Sequence, residues 1–118
     1  AEVIRHLAEG IDRLRQSGVP DVIVDPGFGF GKDLSHNYTL LRNLDAFRVL
    51  DAPLLVGLSR KSMVNKVLGT TAEQALNGTT VLNTLALTGG AKILRVHDVR
   101  EAVEAIRLFE RYCSPAGA

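Results

Sequence analysis

Short apolar runs alternate with helical stripes along the chain, and this alternation constrains the fold more than any other feature. Val22-Ile23-Val24, Leu54-Leu55-Val56 and Ala91 to Val96 each read as a strand, the first within Asp21 to Asp25. Their ends recur after roughly 30 to 40 residues, the length of one βα unit. Val3, Leu7, Ile11 and Leu14 mark a helix ahead of the first run, and Ser17-Gly18-Val19-Pro20 supplies the glycine and proline that stop it. Leu40, Leu41, Leu44 and Phe47 mark a second helix. Thr71-Ala72-Glu73-Gln74 has capping-box spacing for a third, which runs to Gly89-Gly90 and is apolar almost all round. Asp98 caps the last, with a stripe of Val99, Val103, Ile106 and Phe109. Strands hydrophobic on both faces and joined by helices imply right-handed crossovers and a parallel sheet. The fold class is α/β, and three strands alone read as part of a larger barrel.

Composition narrows the function. The chain has 118 residues, 46% hydrophobic and 23% charged, enough for one core. A net charge of +1 gives no electrostatic case for nucleic acid or an anionic membrane, so any anion site is local. No apolar run approaches the roughly 20 residues that span a bilayer. The start, Ala1-Glu2-Val3-Ile4-Arg5-His6, has neither a signal-peptide pattern nor an initiator Met, which suggests a cut or processed chain. Cys113 is the single cysteine, which favours a reducing cytoplasm over a disulfide-stapled domain.

The chemistry gathers at the C-terminal ends of the three strands, the ligand-binding face of parallel α/β folds. The first end opens into Asp25-Pro26-Gly27-Phe28-Gly29-Phe30-Gly31-Lys32. Its glycines allow sharp turns and close backbone approach, while Phe28 and Phe30 can offer an aromatic face to a flat heteroaromatic ligand. A lone Asp-Pro merely starts a turn; with these flanks Asp25 reads as a bidentate acceptor for ring N–H and amino donors. The loop is neither standard phosphate motif. A P-loop needs glycine at position 26 and Ser or Thr at 33, and the dinucleotide fingerprint needs glycine at 32. Gly57-Leu58-Ser59-Arg60-Lys61-Ser62 brings two hydroxyls and two cations to a helix start, which favours an anion over a merely solvated surface pair. Arg95 and His97 alternate along the third strand, so both can clamp one phosphate. The histidines are scattered and no metal-ligand spacing is visible.

These motifs, DPGFGFGK at 25–32, GLSRKS at 57–62 and RVHDV at 95–99, in this order and spacing, closely resemble the last three βα units of the dihydropteroate synthase family. The resemblance implies the C-terminal portion of a (β/α)8 TIM-type barrel over 1–113; beyond it, Ser114-Pro115-Ala116-Gly117-Ala118 reads as a mobile tail over 114–118. It implies a cytoplasmic transferase of folate biosynthesis that condenses 6-hydroxymethyl-7,8-dihydropterin pyrophosphate with p-aminobenzoate and releases pyrophosphate, and that sulfonamides inhibit. Carried over residue by residue, Asp25, Lys61 and Arg95 bind the pterin. Phe30, Gly57, Ser59 and Lys61 approach p-aminobenzoate or a sulfonamide. Arg95 and His97 hold the pyrophosphate, and Lys61, Arg95 and His97 carry the catalytic work. It also implies a Mg2+ cofactor whose ligand lies outside this segment. The third helix, apolar almost all round, is expected to pack on the sheet and on a partner subunit, in a homodimer formed through the C-terminal helices. With the first five βα units absent, the expectation is a segment without turnover of its own. The competing readings are a pterin-binding methyltransferase-type domain, which would have no pyrophosphate to hold, and a non-catalytic association or folding fragment.

Overall fold

The computed structural model describes residues 2–29, 33–58 and 62–115. Helix α1 (Glu2–Gln16) leads into a segment that touches the sheet at Val24. Helix α2 (Leu34–Arg42) is followed by a 3-10 helix (Leu44–Leu50) and strand β1 (Leu54–Val56). Helix α3 (Ser62–Leu68), a 3-10 turn (Ala72–Gln74), α4 (Leu76–Thr88), β2 (Ala91–Leu94) and α5 (Val99–Cys113) complete the order. β1 lies in the middle, pairing in parallel with Val24 on one side and β2 on the other.

The expected strand over Asp21 to Asp25 is reduced to a single bridge, and two prolines explain why. Val24 donates to Pro53 O at 2.9 Å and accepts from Leu55 N–H at 2.8 Å. Continuing this parallel ladder forward requires an N–H from residue 26, and continuing it backward requires one from residue 53. Both are prolines and have none. β2 is also shorter than Ala91 to Val96, although Arg95 N–H still donates to Val56 O at 2.9 Å. Its register advances from Leu54↔Ala91 to Leu55↔Ile93, so Lys92 is the extra residue of a bulge.

The second expected helix breaks at Asn43, whose side chain donates to Thr39 O at 2.8 Å. Beyond it, Leu44, Phe47 and Leu50 are all buried. Their spacing of three fits 3-10 geometry, in which i and i+3 eclipse, better than an α-helix. The Thr71/Gln74 capping box forms, but it caps the short 3-10 turn; α4 starts four residues later with no side-chain cap bond. Asp98 occupies the N-cap position of α5, also without a side-chain cap bond. The apolar stripe of α5 is rotated from its expected place: Ala102 and Ala105 are buried, whereas Val99 and Val103 are exposed. Small residues let α5 lie close to α4. On α4 the hydroxyls of Thr80, Thr84 and Thr88 each donate to the carbonyl four residues earlier, so this polar stripe presents mainly methyl groups.

The core joins Ile11 of α1, Val24, Phe28, the row Leu41, Leu44, Phe47 and Leu50, both buried residues of β1, and Met63 and Val64 of α3. The other face of the sheet is open, with Ile23 56% and Ile93 36% exposed beside the half-buried Leu55. Phe28 is 1% exposed, which overturns its expected role as a ligand-facing ring. Its neighbours Gly27 and Gly29 take φ of 84° and 83°, a region L side chains rarely adopt, and this turns the Phe28 ring inward. Phe28→Ala should therefore lower unfolding free energy by about 3–5 kcal/mol in a denaturant titration. A change of less than about 0.5 kcal/mol, typical of surface positions, would return the ring to the ligand side.

Candidate functional site

The site is assembled by strand pairing. Because Val24, β1 and β2 run parallel and side by side, the residues that follow them, Asp25, Gly57 and Arg95, reach one rim. Arg95 Nη1 lies 3.4 Å from Asp25 Oδ2, a contact across 70 residues of chain. The side chains are 53% and 38% exposed, so the pair adds about 0.2–1 kcal/mol at most and serves chiefly to orient two groups that remain open to a ligand. Between them lies Gly57, which is buried. A β-carbon there would stand 2.5 Å from Arg95 Nη2 and 2.9 Å from Cζ, so the guanidinium lies across the strand end in space that only glycine leaves.

Asp25 is held from its own loop as well. Its Oδ1 accepts from Gly27 N–H at 2.8 Å, an Asx turn that fixes the carboxylate at the mouth of the loop. Each carboxylate oxygen accepts more than one hydrogen bond, so the Gly27 and Arg95 contacts leave capacity for a ligand's donors. His97 is exposed two residues after Arg95, with Val96 half-buried between them. This is the alternation expected along an extended strand end. Phe30, Ser59 and Lys61, together with Lys32 and Arg60, lie outside the described residues. Of the expected site residues, the structure thus brings Asp25, Gly57 and Arg95 together and sets His97 on the same chain end.

Three polar residues of the loop's support were not singled out from the sequence. Asp33 caps α2, its Oδ1 accepting from His36 N–H at 2.8 Å. Asn37, 1% exposed, accepts from Gly29 N–H at 3.0 Å. Tyr38 donates through its hydroxyl to Met63 O at 2.7 Å. The signal was available: Leu34, Asn37, Tyr38 and Leu41 fall at i, i+3, i+4 and i+7, which puts an amide on a core-facing stripe.

Comparison with known proteins agrees with this arrangement. A family model described as pterin binding enzyme matches residues 1–97. The chain is 48% identical over 112 residues to dihydropteroate synthase of Escherichia coli, covering 93% of this chain and 40% of that protein. It is 39% identical over 111 residues to the Haemophilus influenzae enzyme, again spanning 40% of it. Among solved structures, Yersinia pestis dihydropteroate synthase superposes with a TM-score of 0.91 at 41% identity, over 97% of this chain and 55% of that one. The Thermus thermophilus enzyme in complex with 4-aminobenzoate gives 0.89 at 42% identity, over 96% of this chain and 46% of that one. The chain therefore spans about two fifths of the curated relatives' length. Its parallel strand ends, its helices and its matched sequence together place it in the pterin-binding enzyme family, as a segment of a (β/α)8 barrel homologous to dihydropteroate synthase.

Proposed function

We propose that this segment supplies the pterin and pyrophosphate rim of a dihydropteroate synthase, the enzyme that joins 6-hydroxymethyl-7,8-dihydropterin pyrophosphate to p-aminobenzoate and releases pyrophosphate. The observation that carries the proposal is the Asp25–Arg95 pair laid across Gly57: an acceptor and a planar cation side by side on one strand-end rim. Asp25 accepts from the amino and ring N–H donors of the pterin. Arg95 offers a flat guanidinium with five N–H donors, of which the 3.4 Å contact to Asp25 engages one nitrogen, so it can lie against the pterin ring and still donate to phosphate oxygens. His97 adds a second donor to the pyrophosphate. As the methylene–oxygen bond breaks, negative charge grows on the leaving pyrophosphate, and cations already in place lower the barrier without reorganising. The amine of p-aminobenzoate forms the new carbon–nitrogen bond with its lone pair and then loses a proton to water or to the departing pyrophosphate, so no protein nucleophile is needed.

The remaining roles are part of the same proposal. Lys61 bridges the two substrates, and Phe30, Gly57 and Ser59 approach p-aminobenzoate, or a sulfonamide in its place. A Yersinia pestis relative has been solved with a sulfonamide drug, which supports that subsite. The described residues do not fit a magnesium ion, since no three His, Cys, Asp or Glu side chains draw together among them and Arg95 dominates the rim. We place the protein in the cytoplasm; among the described residues no helix is long and apolar enough to cross a membrane. Homodimer formation through the C-terminal helices is supported by the apolar side chains that α4 and α5 leave exposed, Val81, Leu85, Leu108 and Tyr112.

Titration of the chain with the pterin pyrophosphate, followed by heat or fluorescence, tests the rim. Asp25→Asn and Arg95→Ala should each weaken binding about 10- to 100-fold, as expected for a charge-assisted hydrogen bond. Equal affinity in wild type and both variants would remove the assignment.

Gly57→Ala gives a sharper check, because its β-carbon displaces Arg95. It should weaken binding by about tenfold on its own, yet add nothing to Arg95→Ala in the double variant. Additive losses would mean that Gly57 acts independently of Arg95.

The segment alone should show no measurable synthase turnover, since three strand positions cannot close an eight-stranded barrel. Steady pyrophosphate release above a Lys61→Ala control would overturn this.

A further inference from the structure

We propose that Asn37 and Tyr38 are positioning residues that hold two rim segments, Asp25 to Gly29 and the first turn of α3, in one fixed relation. The inference takes that rim as the pterin site argued above. The two residues are consecutive on α2, and each reaches a different segment. Asn37 accepts the N–H of Gly29, the last described residue of the glycine loop, at 3.0 Å. Tyr38 donates to the carbonyl of Met63 at 2.7 Å, in the first turn of α3, the helix that begins at Ser62. One rigid helical turn thus spaces the loop that carries Asp25 against the helix that follows Lys61.

The chemistry favours positioning over plain stability. Gly29 is itself exposed, so water can take its N–H if Asn37 is lost. What then disappears is the constraint on a glycine at φ 83°, where an unpinned backbone has many alternatives. Asn37 is different: it is 1% exposed, and an amide in the core is costly unless it is hydrogen-bonded. A leucine has the same branched skeleton and no polar group to satisfy, so the amide is matched to the loop and not to the core. Met63 O lies in a helix and can also accept within it, so the Tyr38 bond adds a tether without being needed to satisfy that carbonyl. Asp33 fixes the start of α2 through His36 N–H, which keeps the turn bearing both residues from fraying.

Amide hydrogen exchange on the chain, read residue by residue by NMR, tests this together with pterin pyrophosphate binding. Asn37→Leu should speed exchange at Phe28 and Gly29 by about tenfold. Tyr38→Phe should speed it at Lys66, Val67 and Leu68 by about fivefold. The amides of β1, β2 and α4 should stay within about twofold in both variants. Asn37→Asp, read at a pH low enough for burial to keep its carboxyl neutral, keeps the acceptor and should restore slow exchange at Gly29, which guards against reading a packing defect as lost positioning. Pterin pyrophosphate affinity should fall by about fivefold in Asn37→Leu and Tyr38→Phe and recover in Asn37→Asp. Uniform acceleration across the chain, no change at either segment, or loosened segments with unchanged affinity in a chain that binds would each overturn the proposal. If the unaltered chain binds no pterin pyrophosphate, the rim assignment fails for the segment alone. The exchange pattern then decides the positioning role by itself.

Discussion

Three residues, Leu54 to Val56, hold the arrangement together. β1 is the only strand among the described residues with a neighbour on each side, and its backbone sets the height at which both neighbours end. Val24 bonds to Pro53 O and Leu55 N–H on either side of Leu54, and Arg95 N–H closes the other side on Val56 O. Asp25 and Arg95 are 70 residues apart, and neither could find the other through local structure. Parallel pairing to a common strand brings them to 3.4 Å. Because the pairing is parallel, all strands end at the same rim, so chemistry from distant parts of the chain collects there. Leu54 and Val56 are 3% and 0% exposed, which fixes the pleat: a one-residue slip would turn both out of the core.

The rim depends equally on where side chains are missing. Gly57 yields the space in which the Arg95 guanidinium lies, and Gly27 and Gly29 take backbone conformations that send Phe28 inward while Asp25 stays at the surface. The loop is therefore pinned at three points of different kinds: a carboxylate on Gly27 N–H, a buried ring, and an amide on Gly29 N–H. A loop so held has paid its ordering entropy on folding, which favours a ligand that needs a preformed acceptor. This also explains a glycine-rich loop that is neither a P-loop nor a dinucleotide fingerprint: its described glycine N–H groups are turned onto Asp25 and Asn37.

Much of this was legible in the sequence because the governing patterns are local. Apolar runs between helical stripes give the βα order, and Asp25, Gly57 and Arg95 stand out as polar or glycine residues directly after such runs. The two prolines that cut the Val24 pairing to one bridge were also in plain view, but their effect depends on which residues of β1 face them. That register is a tertiary fact. The Lys92 bulge and the 3-10 row of Leu44, Phe47 and Leu50 were hidden for a similar reason, since spacings of three and of three-to-four overlap over seven residues. Phe28 and Phe30 looked equivalent by composition; φ at the glycines, invisible in the letters, turns Phe28 into the core. Asn37 is hidden because a single amide on an apolar stripe reads as a tolerated exception until the loop it serves is in place.

The open face of the sheet gives the rim its context. A compact protein of 12.8 kDa exposes about 6,300 Å² and one of 118 residues has a radius of gyration of about 13.5 Å. This chain exposes 7665 Å², with a radius of 15.4 Å and a shortest extent of 21 Å against 44 and 43 Å. An excess on the order of 1,400 Å² on one partner exceeds the roughly 800 Å² per side of a standard interface and falls in the range of obligate contacts. Ile23 and Ile93 lie on that face, and the outer edge of β2 offers backbone groups that a further strand can pair. A slab of this shape places its binding groups by its own pairing, yet leaves the walls of the pocket to whatever covers the sheet. Orientation of Asp25 and Arg95 is thus intrinsic to the segment, whereas exclusion of water from the rim, which would strengthen every charge there, requires further chain over the open face.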